Sequence, residues 1–187
     1  MVLEGSEREV IEACQRGDRE AFRVLFVTYK DRVYSVAFRY SGDHAAALDI
    51  AQETFLKLFA VIRDFRGDSS FDTWIYRMVV NCCLDHKRRC RRLVPFADGL
   101  LAGLRAPGDH LKAILRSERD DRVRAAIDRL SPDLRMAVVL RYTEGLSYEQ
   151  IAEVLGCSQG TVGSRLNRAH KVLERRLSHL REGDGRV

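Results

Sequence analysis

The side chains best placed for chemistry in this sequence are basic and hydroxyl groups at helical spacing. The chemistry they suit is nucleic-acid binding. Ser147-Tyr148-Glu149-Gln150 is a capping-box pattern, followed by apolar Ile151, Ala152, Val154 and Leu155 and closed by Gly156. After Cys157 a second helical pattern starts near Ser158, with Val162, Leu166 and Ala169 on one stripe. A short helix, a turn and a second helix make a helix-turn-helix. Away from the stripe stand Gln159, Thr161, Ser164, Arg165, Arg168 and Lys171. Such a face fits the DNA major groove, with its first residues at base edges and its basic later turns at phosphates. An ordinary helical hairpin could carry the same charges, but here cap, turn and charge placement agree on DNA.

Lys87-Arg88-Arg89-Cys90-Arg91-Arg92 places five basic residues in six at the end of another helical pattern. Cations at a helix C-terminus are favourable for dipole reasons alone. Five exceed what capping needs, which favours a phosphate-contacting edge. Cys82, Cys83, His86 and Cys90 form the one metal-like cluster, with positions 82, 86 and 90 on one helix face. Ligands spread over two turns, about 12 Å at 1.5 Å per residue, cannot close around one ion without a partner chain or Cys14. Cys82 also completes an apolar stripe, so no metal and no cofactor are expected. A thiol- or zinc-responsive interaction protein remains a minor alternative. There is no phosphate-cradling glycine loop, no activated serine and no convincing carboxylate pair, so no catalytic residue is assigned and no enzyme is expected.

These groups have to be positioned by a chain of 187 residues, of which 45% are hydrophobic and 32% charged. That is enough apolar material for one ordinary domain or two small ones, and it argues against wholesale disorder. Lys and Arg outnumber Asp and Glu by 32 to 27, with a pI near 9.1. The excess is too small for a histone-like polycation, so its distribution matters more than its sum. Five cysteines and an N-terminus without a basic, apolar leader argue against a secreted disulfide scaffold. No run approaches the ~18 apolar residues of a membrane helix. A reduced, cytoplasmic protein without membrane contact of its own is expected.

Periodicity is helical almost throughout. Ser6-Glu7-Arg8-Glu9 reads as a capping box, Gly17 as a stop and Asp18 as the next cap. The following stripe runs Phe22, Leu25, Phe26, Tyr29, Val33, Val36, Ala37 and Tyr40, closing at Gly42. Asp43 opens a third helix with Ala47, Ile50, Ala51, Phe55, Leu58, Phe59 and Ile62 on its apolar face. The polar loop Arg66–Ser70 leads to a fourth, with Phe71, Trp74, Ile75, Met78, Val79 and Cys82 together. Two of the three prolines fall in residues 94–117, which read as a connector reaching roughly 80 Å at ~3.3–3.6 Å per residue. Beyond it Val123, Ala126, Ile127 and Leu130 make one helix. Ser131-Pro132 starts the next, which carries Leu134, Ala137, Val138, Arg141 and Tyr142. The fold class is therefore all-α, with a first domain over residues 1–93, a linker over 94–117, a second domain over 118–182 and a tail over 183–187.

Several of these segments together resemble bacterial RNA polymerase sigma factors of the sigma-70 family, extracytoplasmic-function group. They are Asp49-Ile50-Ala51-Gln52-Glu53-Thr54-Phe55-Leu56-Lys57-Leu58-Phe59, then Phe65–Arg77 with Asn81 and Leu84-Asp85-His86. In the second half they are Leu140–Ala152 and Gly160-Thr161-Val162-Gly163-Ser164-Arg165-Leu166. The resemblance covers about nine-tenths of the chain, in family order.

It implies a dissociable promoter-specificity subunit without chemistry of its own. Its implied partners are core RNA polymerase (the clamp helices of the largest subunit, and the flap), promoter DNA and an inhibitory anti-sigma factor. By that analogy Asp49, Gln52, Glu53 and Phe55 face the polymerase, although Phe55 also fits plain core packing. Arg66, Asp68, Ser69 and Ser70 would hold a base flipped from the −10 element. Thr73, Tyr76, Arg77 and Asn81 would face DNA, and Lys87, Arg88, Arg89, Arg91 and Arg92 would track phosphates. Trp74 is assigned to the core.

Ser158, Gln159, Thr161, Ser164, Arg165, Arg168 and Lys171 would read the −35 element. Gly163 departs from the family pattern, where a long polar residue is common, and costs about 1 kcal/mol of helix propensity against alanine. It implies either a weaker −35 contact or a closer approach of the helix to the DNA backbone. The connector's carboxylates are only Asp98 and Asp109, fewer than suits a segment that mimics nucleic acid. A stand-alone helix-turn-helix regulator is the rival reading, and it needs no polymerase to bind duplex DNA.

Overall fold

The computed structural model describes residues 4–93 and 118–182, and every regular element among them is helical. The expected connector at 94–117 and tail at 183–187 lie outside the described residues. Helix α1 spans Glu4–Gln15 and so already includes Ser6. The capping box expected at Ser6–Glu9 is therefore not the helix start. The helix begins two residues earlier, at Glu4.

Asp18 caps α2 (Arg19–Ser41), its carboxylate accepting from the amides of Glu20 at 2.8 Å and Ala21 at 3.2 Å. Gly42 ends α2 with φ of 73°, a left-handed conformation that L side chains rarely take, and its amide donates to Phe38 O. Asp43 caps α3 (His44–Val61) through Ala46 N at 2.8 Å. A 3-10 turn at Ile62–Asp64 and a loop follow, and then α4 (Phe71–Leu93). The Ser70 hydroxyl accepts the Thr73 amide at 3.1 Å at the start of α4.

Helix α2 is the axis of the first half. Leu25, Tyr29, Val33, Val36, Ala37 and Tyr40 are buried on it, and α1, α3 and α4 pack around it. The Tyr29 hydroxyl lies 2.5 Å from Glu7 and 2.8 Å from Asp72, joining α1, α2 and α4 at one point. Trp74 packs with Phe65 and Phe71, ring centroids 5.0 and 5.7 Å apart, and is half-buried against the edge of the core.

The second half comprises α5 (Glu118–Asp128), α6 (Pro132–Tyr142), α7 (Tyr148–Leu155) and α8 (Gln159–Glu182). Ser131 occupies the N-cap of α6, but its side chain makes no capping bond, so Pro132 carries that start alone. Helix α6 is the centre of this half, buried from Arg135 to Leu140. The Ser147 box is complete. Its hydroxyl accepts Gln150 N at 3.1 Å, and Gln150 Oε1 accepts Ser147 N at 2.8 Å.

The two halves are not separate bodies. Their buried side chains form one continuous cluster, with α6 against α2 and α7 against α4.

Two consequences are measurable. Ser147→Ala removes half of the box that caps α7 and is expected to cost about 1 kcal/mol of stability in urea unfolding. Cys14, Cys82 and Cys83 are buried and Cys90 is exposed. Burial, and then the neighbouring Asp18 carboxylate, pushes the Cys14 thiol up to about 11, and burial pushes Cys83 higher still. A thiol reagent at about pH 8 should therefore modify Cys90 first and reach Cys14 and Cys83 only on unfolding, as peptide mass mapping would show.

Candidate functional site

Three surfaces carry side chains that the fold itself does not need. The first is an apolar groove between α2 and α3. Phe22 meets Phe59 edge-on at 5.0 Å, and Phe26 meets Phe55 at 4.7 Å. Between and beside these pairs lie Leu48, Ala51 and Leu56, with Lys30, Asp31 and Gln52 on the rim of a groove of about 580 Å³. Phe26, Val27, Leu48, Leu56 and Phe59 are 41 to 64% exposed. Apart from Tyr142 and Tyr148, all the large apolar side chains left exposed among the described residues are on α2 or α3. An apolar patch of this kind is the usual mark of a protein interface.

Of the four residues expected to face polymerase, Gln52 and Phe55 line this groove and Asp49 is exposed. Phe55 is 8% exposed, so it packs in the core and forms the groove floor at once. Glu53 points elsewhere, accepting from Lys57 at 2.9 Å and from Arg89. Burial pushes its carboxyl upward, but the bonds from Lys57 and Arg89 outweigh this and hold it below the ordinary range. Phe26 and Phe59, which periodicity put in the core stripes, are groove residues. Leu48 and Leu56 escaped notice. Their signal was the width of the α3 apolar face, which is more than one packing partner can cover.

The second surface is the loop before α4 and the helix face that follows it. Gln15 Nε2 donates to Phe65 O at 2.8 Å and Ile62 O at 3.2 Å, and Phe65 stands edge-on to Phe71 at 5.3 Å. These contacts fix the stem while Arg66, Asp68 and Ser70 remain exposed and Ser69 half-buried. Gly67 turns the loop with φ of 80°. The helix face is less open than the sequence suggests. Thr73 and Tyr76 are each 6% exposed, and Thr73 Oγ1 is 2.9 Å from Ser70 Oγ.

The Tyr76 hydroxyl donates to Glu144 Oε2 at 2.8 Å. Burial, and then that bond, pushes its pKa up. Arg77 Nε donates to Glu153 O at 3.0 Å, with its Nη2 3.6 Å from the Glu153 carboxylate. Asn81 is exposed. In the basic run Arg88 pairs with Asp85 at 3.2 Å and Arg89 with Glu53, while Lys87 is half-buried. The side chains of Arg91 and Arg92 lie outside the described residues. His86 Nδ1 and Cys90 Sγ are 3.7 Å apart, and Cys82 and Cys83 are fully buried.

The third surface is the outer face of α8. Val162, Leu166 and Ala169 are buried against α6 and α7, which fixes the rotation of the helix. Ser158, Gln159, Ser164, Arg168 and Lys171 are exposed, and Thr161 and Arg165 half-buried. The Ser158 hydroxyl accepts the Thr161 amide at 3.1 Å and so caps the helix. Arg165 leans back to Asp133 at 3.8 Å, and Arg168 Nε donates to Ser164 O at 3.3 Å. A Cβ built on Gly163 would meet only the Tyr148 ring, at an ordinary 3.7 Å.

Comparison with known proteins matches each half of the chain to a family model. A model described as Sigma-70 region 2 matches residues 25–93, and one described as Sigma-70, region 4 matches residues 120–173. The RNA polymerase sigma-H factor of Pseudomonas aeruginosa is 36% identical over 96% of this chain and 98% of its own. The ECF RNA polymerase sigma-E factor of Escherichia coli K12 is 37% identical over 94% of this chain and 96% of its own. Among solved structures, the sigma factor RpoE of Bartonella quintana, in complex with the anti-sigma factor NepR, has a TM-score of 0.67 at 27% identity. That match covers 84% of this chain and 96% of RpoE. CnrH, solved with the cytosolic domain of CnrY, shares the fold with a TM-score of 0.68 at 23% identity over 92% and 97% of the two chains. With matching regions in this order and relatives spanning nearly its whole length, the chain belongs to the sigma-70 family of RNA polymerase sigma factors, in its extracytoplasmic-function group.

Proposed function

We propose that this chain binds core RNA polymerase through the α2–α3 groove, reads a −35 element with the outer face of α8 and reads a melted −10 element with residues 66–81. It carries no reaction of its own and acts in the cytoplasm. Among the described residues no helix is long and apolar enough to cross a membrane. The observation that carries this reading is the groove. The exposed Phe26, Leu56 and Phe59 beside a helix-turn-helix on the same chain supply a protein-docking face, which a stand-alone regulator would use only for dimerising or sensing.

The rim charges Lys30 and Asp31 suit a partner helix laid along the groove, with apolar anchors inside and polar groups at the edge. The Bartonella factor was solved with an anti-sigma factor. The same class of protein is the expected inhibitor here, covering the same faces. The domain division at 1–93 and 118–182 follows from this assignment of surfaces, with residues 94–117 joining the two promoter-reading parts.

The direct test is transcription of fragmented host genomic DNA by sigma-free core polymerase, with and without the chain, mapping 5′ ends. New starts sharing two spaced upstream motifs are expected. No new starts, together with specific duplex binding by the chain alone, would favour the stand-alone regulator.

The groove assignment predicts that Leu56→Ala and Phe59→Ala each weaken core-polymerase binding about tenfold or more. Burying such a side chain is worth about 1.5–3 kcal/mol. Folding should be intact, because both are more than half exposed. Affinity measured by labelled-factor titration checks this.

On α8, Arg168→Ala should weaken duplex binding across all sequences and lower the salt slope by about 1, while Gly163→Lys should raise it by about 1. Duplex titrations at several salt concentrations decide both.

A further inference from the structure

We infer that Gln15 on α1 is a positioning residue for −10 recognition, holding the stem of the loop that reads the melted strand. The inference rests on the reading of Arg66 to Ser70 as the base-holding loop. That loop has no scaffold of its own. Among the described residues no backbone–backbone hydrogen bond involves positions 66 to 69, and Arg66, Gly67 and Asp68 are exposed. Its shape is therefore set at its two ends, and α1 bears on both.

On the entering side Gln15 Nε2 donates to Phe65 O at 2.8 Å and to Ile62 O at 3.2 Å. The Phe65 amide donates to the same Ile62 oxygen at 3.2 Å, so Gln15 closes this turn from outside. On the leaving side the Tyr29 hydroxyl lies 2.5 Å from Glu7 on α1 and 2.8 Å from Asp72 in the first turn of α4. Arg32 Nη1 holds the other Asp72 oxygen at 3.2 Å. Positions 7 and 15 are about 12 Å apart along the axis of α1, at 1.5 Å per residue.

The chemistry at position 15 is specific. A glutamine amide carries two N–H donors, one for each carbonyl, whereas a glutamate of the same shape carries only acceptors. Gln15 is half-buried beneath the stem, so it acts through the loop and not on the strand. A loop held in its binding shape takes up a base without first having to be ordered.

The test uses the full-length chain. Its probe is a labelled single strand that the wild-type chain itself enriches from a randomised pool. Gln15→Met keeps the length of the side chain and removes both donors, and Gln15→Glu replaces them with acceptors. Urea unfolding and circular dichroism report folding. Trp74, the single tryptophan of the chain, packs on the Phe65 ring at 5.0 Å and reports the stem by its fluorescence.

If the freed loop holds its binding shape about a fifth of the time, strand affinity falls about fivefold. Both variants should show that loss, with random-duplex binding unchanged and Trp74 more readily quenched by acrylamide. In a chain already carrying Arg66→Ala and Ser69→Ala, the Gln15 changes should cost the strand nothing further. A general loss of stability would not be spared in that way.

If neither variant folds, or Trp74 is quenched as in the wild type, Gln15 does not set the stem and the inference falls. If the Gln15 and loop changes add, Gln15 acts elsewhere and positioning is refuted. If the stem loosens and the strand binds as before, while the loop changes weaken it, positioning is refuted and the −10 reading stands. If the wild type enriches no strand, or the loop changes leave binding intact, the −10 reading itself fails and takes the inference with it.

Discussion

A buried guanidinium bridges the two halves of this molecule where α6 meets α2. Arg135 is 4% exposed, and its charge is solvated by carbonyls: Tyr40 O at the end of α2 and Asp128 O at the end of α5. Helix C-termini carry partial negative charge on carbonyls without helical partners, so two such ends meeting at one cation offset much of the cost of removing it from water. The Asp128 carboxylate at 3.7 Å and the Tyr40 ring at 5.8 Å lie beside it, while its Nε is buried without a hydrogen-bond partner. Burial lowers the Arg135 pKa, and Asp128 works against that fall. Such a contact is demanding in geometry. It holds α5, α6 and α2 in one arrangement, and that arrangement brings α7 onto α4.

The contacts on α4 differ in kind. Arg77 with Glu153 is a polar contact at the edge of solvent, the two side chains being 42 and 40% exposed, while the Tyr76–Glu144 bond is partly buried. Exposed pairs of this sort contribute little each, and water and salt compete for them. One end of the junction is therefore dry and the other wet. The wet end lies over the residues assigned to melted DNA.

Much of the fold was legible because its punctuation is local. Asp18, Asp43 and Ser147 cap where their side chains predict, and Gly42 and Gly156 end helices with positive φ. Ser6 misled because a capping box marks a start only when nothing upstream is helical. The α2–α3 groove was half visible. Periodicity places Phe26 and Phe59 on the apolar side of α2 and α3, but a stripe cannot say where packing ends and exposure begins. The closure of α7 on α4 was not visible at all. It pairs residues 68 and 76 positions apart, Tyr76 with Glu144 and Arg77 with Glu153, and no local spacing encodes that.

The grip of Gln15 on the loop stem has one more consequence. Its amide donates to the main-chain oxygens of Ile62 and Phe65 and not to a loop side chain. Any residue supplies a carbonyl, so exchanging side chains in the loop leaves its anchorage unchanged. On the proposed −10 reading, selection can rewrite what the loop recognises while the frame beneath it stays put, a letter-holder indifferent to the letters.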